Sequence, residues 1–221
     1  MARLITGLDP ARMRDNVARV RGEIEAAARA AGRDPSGVAL LAAVKYVPLE
    51  ELATLVGAGL ELLGENRAQD LEAKATGPDG ASFRWHFIGQ LQSRKVRQVV
   101  AHAELIHSVA SDSALEQLGR HGTDDTRVLV QVNVAQDPSK AGVTPADLGS
   151  FIARSPVRVI GLATMPPEVV DPEANRPHFA ALRGLAAEHG LAQLSMGTSQ
   201  DFTVAVQEGA TIVRVGSALY A

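Results

Sequence analysis

The chain contains no cysteine. A disulfide framework, a thiolate metal site and a catalytic thiol are therefore excluded. Aromatic residues make up only 4% of it, too few for a platform that stacks single-stranded nucleic acid. Excess positive charge is missing as well: 22 Lys and Arg stand against 25 Asp and Glu, a formal net charge of −3. That balance does not favour a phosphate backbone as partner. The longest apolar runs, such as residues 38–44, are strand-sized. A membrane span needs about 20 residues. The opening segment, MARLITGLDPARMRDN, is mixed with charge and lacks the apolar stretch of a signal peptide. The histidines (His86, His102, His107, His121, His178 and His189) show no HxH or HExxH spacing, so no metal site is expected. The expectation is a cytoplasmic monomer with neither nucleic acid nor membrane as partner.

What is present is periodicity. With 46% hydrophobic residues in 221, the chain can bury a sizeable core. Met13, Val17, Val20, Ile24, Ala27 and Ala31 recur at spacings of three and four, the stripe of a long amphipathic helix that Gly32 ends. Short apolar runs then predict strands at 38–45, 60–64, 85–89, 105–109, 127–134, 157–165, 191–197 and 211–216. Helices are predicted between them at 48–59, 67–75, 93–103, 113–120, 145–154, 176–189 and 201–208. Regular alternation of this kind means a parallel sheet with right-handed crossovers. Eight such units favour a closed barrel. The predicted fold is α/β, a single (β/α)8 TIM-type barrel over residues 1–221. The N-terminal helix is additional to the repeat and supplies the eighth outer helix.

Barrels of this kind carry their sites at the C-terminal ends of the strands. Lys45 ends an apolar strand there. An ammonium at that point is expected to be partly desolvated, which favours the free amine and imine formation with a carbonyl. A lysine that snorkels to solvent is the plainer reading of the same position. The segments SMGTSQD (residues 195–201) and VGSALY (residues 215–220) follow strands seven and eight. Loops in those places, rich in Gly and small hydroxyls, are the usual phosphate site, although the same residues also turn chains and cap helices. Thr198 and Asp201 have the spacing of a capping box. Arg214 is a charge inside the apolar strand TIVRVG, and a buried charge should have a partner. Both faces of that strand are apolar, so periodicity leaves its direction open. A carbonyl, a phosphate and a ring nitrogen are together the recognition points of pyridoxal 5′-phosphate (PLP).

Several segments resemble one known family. They are AVKYVP (residues 43–48), GENRAQDLEAK (64–74), WHFIGQLQSRK (85–95), IHSV (106–109), VQVNVAQDPSKAG (130–142), LSMGTSQDF (194–202) and VRVGSALY (213–220). In this order they are similar to the YggS/PROSC family of PLP-binding, PLP-homeostasis proteins, whose barrel is alanine racemase N-terminal-domain-like. The resemblance implies that Lys45 holds PLP as an aldimine. It implies that Ser199, Gly216 and Ser217 hold the phosphate, with backbone groups of Met196, Gly197 and Thr198 nearby. It places Asn66 next to the cofactor and Arg214 at the pyridine nitrogen. A guanidinium there keeps that nitrogen unprotonated and disfavours carbanion chemistry. Two departures from the family pattern are expected to reshape the pocket lining. Strand six reads GLATMPP, without Met directly after Gly-Leu, and Thr198 stands where Met is common.

The remaining candidates have plainer readings. His86 is expected to be packed or on the surface, with the barrel mouth as alternative. Glu65 and Arg67 are expected to pair with neighbouring loops, and Lys140 is a loop lysine that is also a candidate for secondary PLP contact. The function expected is a PLP carrier that buffers the aldehyde and delivers it to apoenzymes, with no catalytic residue assigned. The alternative is a PLP-dependent racemase-type enzyme. A two-base racemase needs an acid/base group on each face of the substrate carbon. The eight predicted strands leave no length for a second domain to supply one. A Schiff-base aldolase acting on a sugar phosphate is a third, weaker reading.

Overall fold

The computed structural model describes residues 4–221, and its first element is helix α1 (Pro10–Ala30). Asp9 caps it by accepting from the Arg12 amide at 2.7 Å, and Pro10 occupies the first turn. At the other end the Gly32 amide donates to Arg29 O and the Arg33 amide to Ala28 O, a Schellman closure. The predicted stripe from Met13 to Ala27 is buried. Each large apolar side chain removed from water there contributes about 1.5–3 kcal/mol. Ala31 is exposed instead, because the helix has already ended.

Eight strands follow: β1 (Ala39–Ala43), β2 (Leu62–Glu65), β3 (Arg84–Phe87), β4 (Leu105–Val109), β5 (Arg127–Gln131), β6 (Arg158–Ala163), β7 (Gln193–Ser195) and β8 (Ile212–Val215). They form a closed barrel in sequence order, every pairing parallel, with β8 returning to β1. Outside lie α2 (Leu52–Gly57), α3 (Ala68–Ala75), α4 (Val96–Val100), α5 (Asp112–His121), α6 (Leu148–Ala153), α7 (Arg176–Glu188), α8 (Phe202–Gln207) and α9 (Ser217–Tyr220). Helix α1 packs against α2, α8 and α9 and so fills the remaining place in the ring. The short α9 was not expected from the sequence. Six of the strands end before their predicted C-terminal ends, where the chain leaves the sheet to build the mouth; β4 ends at Val109 as predicted, and β2 runs on to Glu65.

Side chains alternate across the sheet. Leu41, Leu62, Leu105, Leu129, Ala163 and Ile212 pack together inside the barrel. Leu194, Val213 and Val215 belong to the outer core between sheet and helices. Arg214 stands two residues beyond Ile212, so it faces inward, which settles the direction left open by the sequence. Met196 stands two residues beyond Leu194 and faces outward, fully buried in the outer core. No described helix is long and apolar enough to cross a membrane.

Candidate functional site

A cavity of about 630 Å³ opens at the C-terminal ends of the strands. Lys45, Asn66, Thr198, Ser199, Arg214, Gly216 and Ser217 all line it, and Lys140 reaches it from the loop after β5. Met196 and Gly197 do not. Gly197 serves the turn instead. Its φ is +89°, and a Cβ there would lie 2.6 Å from Ala205 Cβ and 2.9 Å from Phe202 Cα. The bare backbone lets the loop after β7 pack directly on α8.

Lys45 lies two residues beyond β1 and is exposed, so burial does not desolvate it as the apolar run suggested. Its Nζ sits 4.8 Å from the centroid of the Tyr46 ring. The backbone leading to it is firmly held. The Val44 amide donates to Gly64 O at 3.0 Å, and Val44 O accepts from Lys74 Nζ at 2.8 Å. Lys74 also bonds Glu65 Oε2 at 2.5 Å, and both residues are buried. The expected partner of Glu65 was a loop; the actual partner is a lysine on α3. The other Glu65 oxygen accepts from the Asn66 amide at 2.6 Å. One buried ion pair thereby fixes the ends of β1 and β2, which carry two of the cavity residues.

Arg214 is buried at the base of the cavity. Nη1 donates to Ser195 O at 2.7 Å and to Ser195 Oγ at 2.5 Å. Nη2 donates to Thr164 O at 2.7 Å and to Met165 Sδ at 2.8 Å. The displaced methionine of strand six therefore contacts this guanidinium. A guanidinium has five N–H groups. These contacts take four, and among the described residues Nε–H has no partner. Burial lowers the guanidinium pKa to about 10, with Asp201 acting the other way, so it is a cation at neutral pH.

The loops after β7 and β8 meet at Ser199. Its Oγ accepts from the Gly216 amide at 2.9 Å and the Ala218 amide at 3.3 Å, which leaves its own O–H to donate. Thr198 is engaged otherwise. Its amide donates to Asp201 Oδ1 at 2.7 Å and its hydroxyl to the same oxygen at 3.0 Å. Only the carboxylate half of the expected capping box forms. Asp201 Oδ2 accepts from Asn175 Nδ2 at 2.8 Å, so this buried carboxylate is occupied on both oxygens.

Two cavity-lining residues keep a buried polar atom that has no partner among the described residues: Asn66 Oδ1 and Tyr220 OH. Burial pushes the Tyr220 phenol well above the usual tyrosine range, with Glu65 adding to the effect. Tyr220 was not among the residues predicted for the site; a tyrosine three residues after the Gly-Ser that follows strand eight was the available signal. Also unpredicted is the inward pair His86 and His107. His86 Nδ1 lies 2.9 Å from His107 Nε2, and His107 Nδ1 lies 2.8 Å from Ser195 Oγ. His86 is packed, as its plainer reading had it.

Comparison with known proteins agrees with this architecture. The family model described as alanine racemase, N-terminal domain, matches residues 8–221. The alanine racemase of Corynebacterium glutamicum shares that fold with a TM-score of 0.69 at 16% identity, over 99% of this chain and 62% of its own. Closer relatives carry a narrower description. The pyridoxal phosphate homeostasis protein of Aquifex aeolicus is 36% identical over 93% of this chain and 96% of its own. That of Pseudomonas aeruginosa is 38% identical over 93% and 94%. PipY of Synechococcus elongatus, solved with PLP bound, superposes with a TM-score of 0.79 at 31% identity, over 95% of this chain and all of its own. The class is thus the alanine racemase N-terminal-domain barrel. Within it, the chain belongs to the pyridoxal phosphate homeostasis protein family.

Proposed function

We propose that this chain holds PLP reversibly at Lys45 and takes part in intracellular PLP homeostasis, buffering the cofactor and delivering it to apoenzymes. In this reading it acts as a monomer in the cytoplasm. The observation that carries it is the donor set of one cavity: an exposed amine, a buried guanidinium with one N–H to give, and the Ser199 hydroxyl. When bound, PLP supplies a reactive aldehyde and an electron-withdrawing pyridine ring. The residues fit its three recognition points. Lys45 presents Nζ to the aldehyde. Ser199 donates its hydroxyl toward the phosphate, with Gly216 and Ser217 beside it. Arg214 presents Nε–H to the ring nitrogen, and its positive charge opposes protonation there. The unpartnered Asn66 Oδ1 and Tyr220 OH supply further polar contacts. The descriptions of the Aquifex and Pseudomonas relatives, and the PLP held by PipY, support the same assignment.

The test is direct. The purified protein with PLP should be yellow, and borohydride should fix one phosphopyridoxyl group on Lys45, located by peptide mapping. A colourless protein, or a label on another residue, would overturn the reading. So would a sugar phosphate trapped in place of PLP.

A further inference from the structure

Among the described residues the buried cation Arg214 touches only uncharged acceptors: two carbonyls, a hydroxyl and a thioether sulfur. A charge so placed usually has a carboxylate partner. Here a chain of polar side chains runs instead from the guanidinium through the barrel to its other end. It passes from Arg214 Nη1 to Ser195 Oγ, then His107 Nδ1, then from His107 Nε2 to His86 Nδ1. It ends at His86 Nε2, buried and without a partner among the described residues, beside a second cavity lined by Arg84, Glu104 and Arg127.

The sense of this chain follows from counting protons. A guanidinium only donates, so Ser195 Oγ accepts from it. The serine O–H then has His107 Nδ1 as its acceptor. A neutral imidazole carries one N–H, so that of His107 sits on Nε2 and points at His86 Nδ1. His86 in turn carries its proton on Nε2. This sense leaves one group unpaired, the terminal His86 N–H. The opposite sense leaves two, the serine O–H and a bare His86 Nε2. Both rings are neutral: burial lowers His86 to about 4 and holds His107 well below the histidine range, with His86 and Arg214 adding to the effect on His107.

We propose that His107 and His86 are positioning residues for Arg214, a one-directional relay whose lone pairs face the buried guanidinium in place of a carboxylate and fix the direction of its free Nε–H. Their effect on a ligand passes through Ser195 and Arg214. The relay's consequence for PLP rests on the proposed function; its proton arrangement does not.

The two parts are tested separately. Long-range proton–nitrogen correlation spectra of the full chain labelled with 15N-histidine, without PLP, read the tautomers directly. Both rings should be in the Nε2–H form at neutral pH, assigned with His86→Gln and His107→Asn. An Nδ1–H tautomer or an imidazolium at either ring would overturn the relay. PLP titration then compares two variants. His107→Asn retains a side-chain oxygen to accept from Ser195 and should keep the absorbance maximum of bound PLP. His107→Leu should shift that maximum and weaken binding about tenfold. If the leucine variant does not fold, Ser195→Ala should give the same shift. Identical spectra for the Asn variant and the severed ones would overturn the positioning role. A wild-type chain that takes up no PLP would overturn the proposed function, and the tautomers would still decide the relay.

Discussion

The barrel has a cavity at each end, and the two treat charge in opposite ways. At the floor, about 400 Å³ is lined by Arg84, Glu104 and Arg127 among others. Arg84 there gives Glu104 two hydrogen bonds, at 2.8 and 3.1 Å, which hold the carboxylate below its usual pKa. At the mouth, Arg214 has no bonded carboxylate among the described residues, Lys45 is exposed, and the oxygens of Asp201 are given to Thr198 and Asn175. The difference teaches that volume does not identify a ligand site. A buried positive group whose hydrogen-bonding capacity the protein leaves unmatched, as at Arg214, does, because an anionic or acceptor-rich ligand can complete it.

The comparison is exposed to several tests. The largest effect belongs to Lys45→Ala, which should abolish the borohydride-stable adduct, whereas Arg84→Ala at the floor should leave it intact. Mass analysis after reduction reads both, and loss of the adduct in both variants would erase the distinction between the ends. Lys74→Met strands the fully buried Glu65 and should cost about 3–5 kcal/mol of stability. Urea denaturation measures it; a loss below about 1 kcal/mol would mean the pair does not hold the mouth.

Acid tests the relay that joins the two ends. His86 is depressed by burial from 6.5 to about 4, so between those values the unfolded chain binds a proton that the folded chain does not. Stability should therefore be full above pH 6.5, decline as pH falls toward 4, and gain no further penalty from this residue below that. For His86 alone the effect is on the order of 3 kcal/mol. The denaturation midpoint should follow this course, and His86→Gln should flatten it. An unchanged profile in that variant would contradict a neutral buried histidine. The smallest effect is the stability cost of Arg84→Ala. Its pair with Glu104 is exposed, with side-chain accessibilities of 59% and 36%. Such a pair contributes about 0–1 kcal/mol.

Much of the fold was legible because its signals are local. The stripe of α1, the apolar runs of the strands and the Gly-Ser segments after β7 and β8 can each be read within one window of sequence. The Lys45, Asn66, Ser199, Arg214 cluster was legible through its positions at strand ends and through the family resemblance. Other features were not. The apolar neighbours of Lys45 left both a desolvated amine and one that snorkels to solvent open; the strand stops at Ala43 and the lysine stands clear of the sheet, as in the plainer reading. The family resemblance put backbone groups of Met196 near the phosphate; where its side chain goes was not legible, and the alternation along the strand turns it into the outer core. Thr198 and Asp201 have capping-box spacing, but the carboxylate takes both the threonine amide and its hydroxyl.

The sequence by itself determined the class of fold, the order of the elements and the chemical types gathered at the strand ends. Only the tertiary structure decided which of those groups face one another. Residues such as Arg214, with apolar neighbours on both sides, have no periodic signal to say whether they look in or out. That direction comes from the closure of the barrel, when β8 pairs with β1 and Ile212 is turned to the inside. The same closure brings Ser195, His107 and His86, from three different strands, into one line behind the guanidinium. Contacts between residues so far apart in the chain depend on strand register, which no single segment encodes.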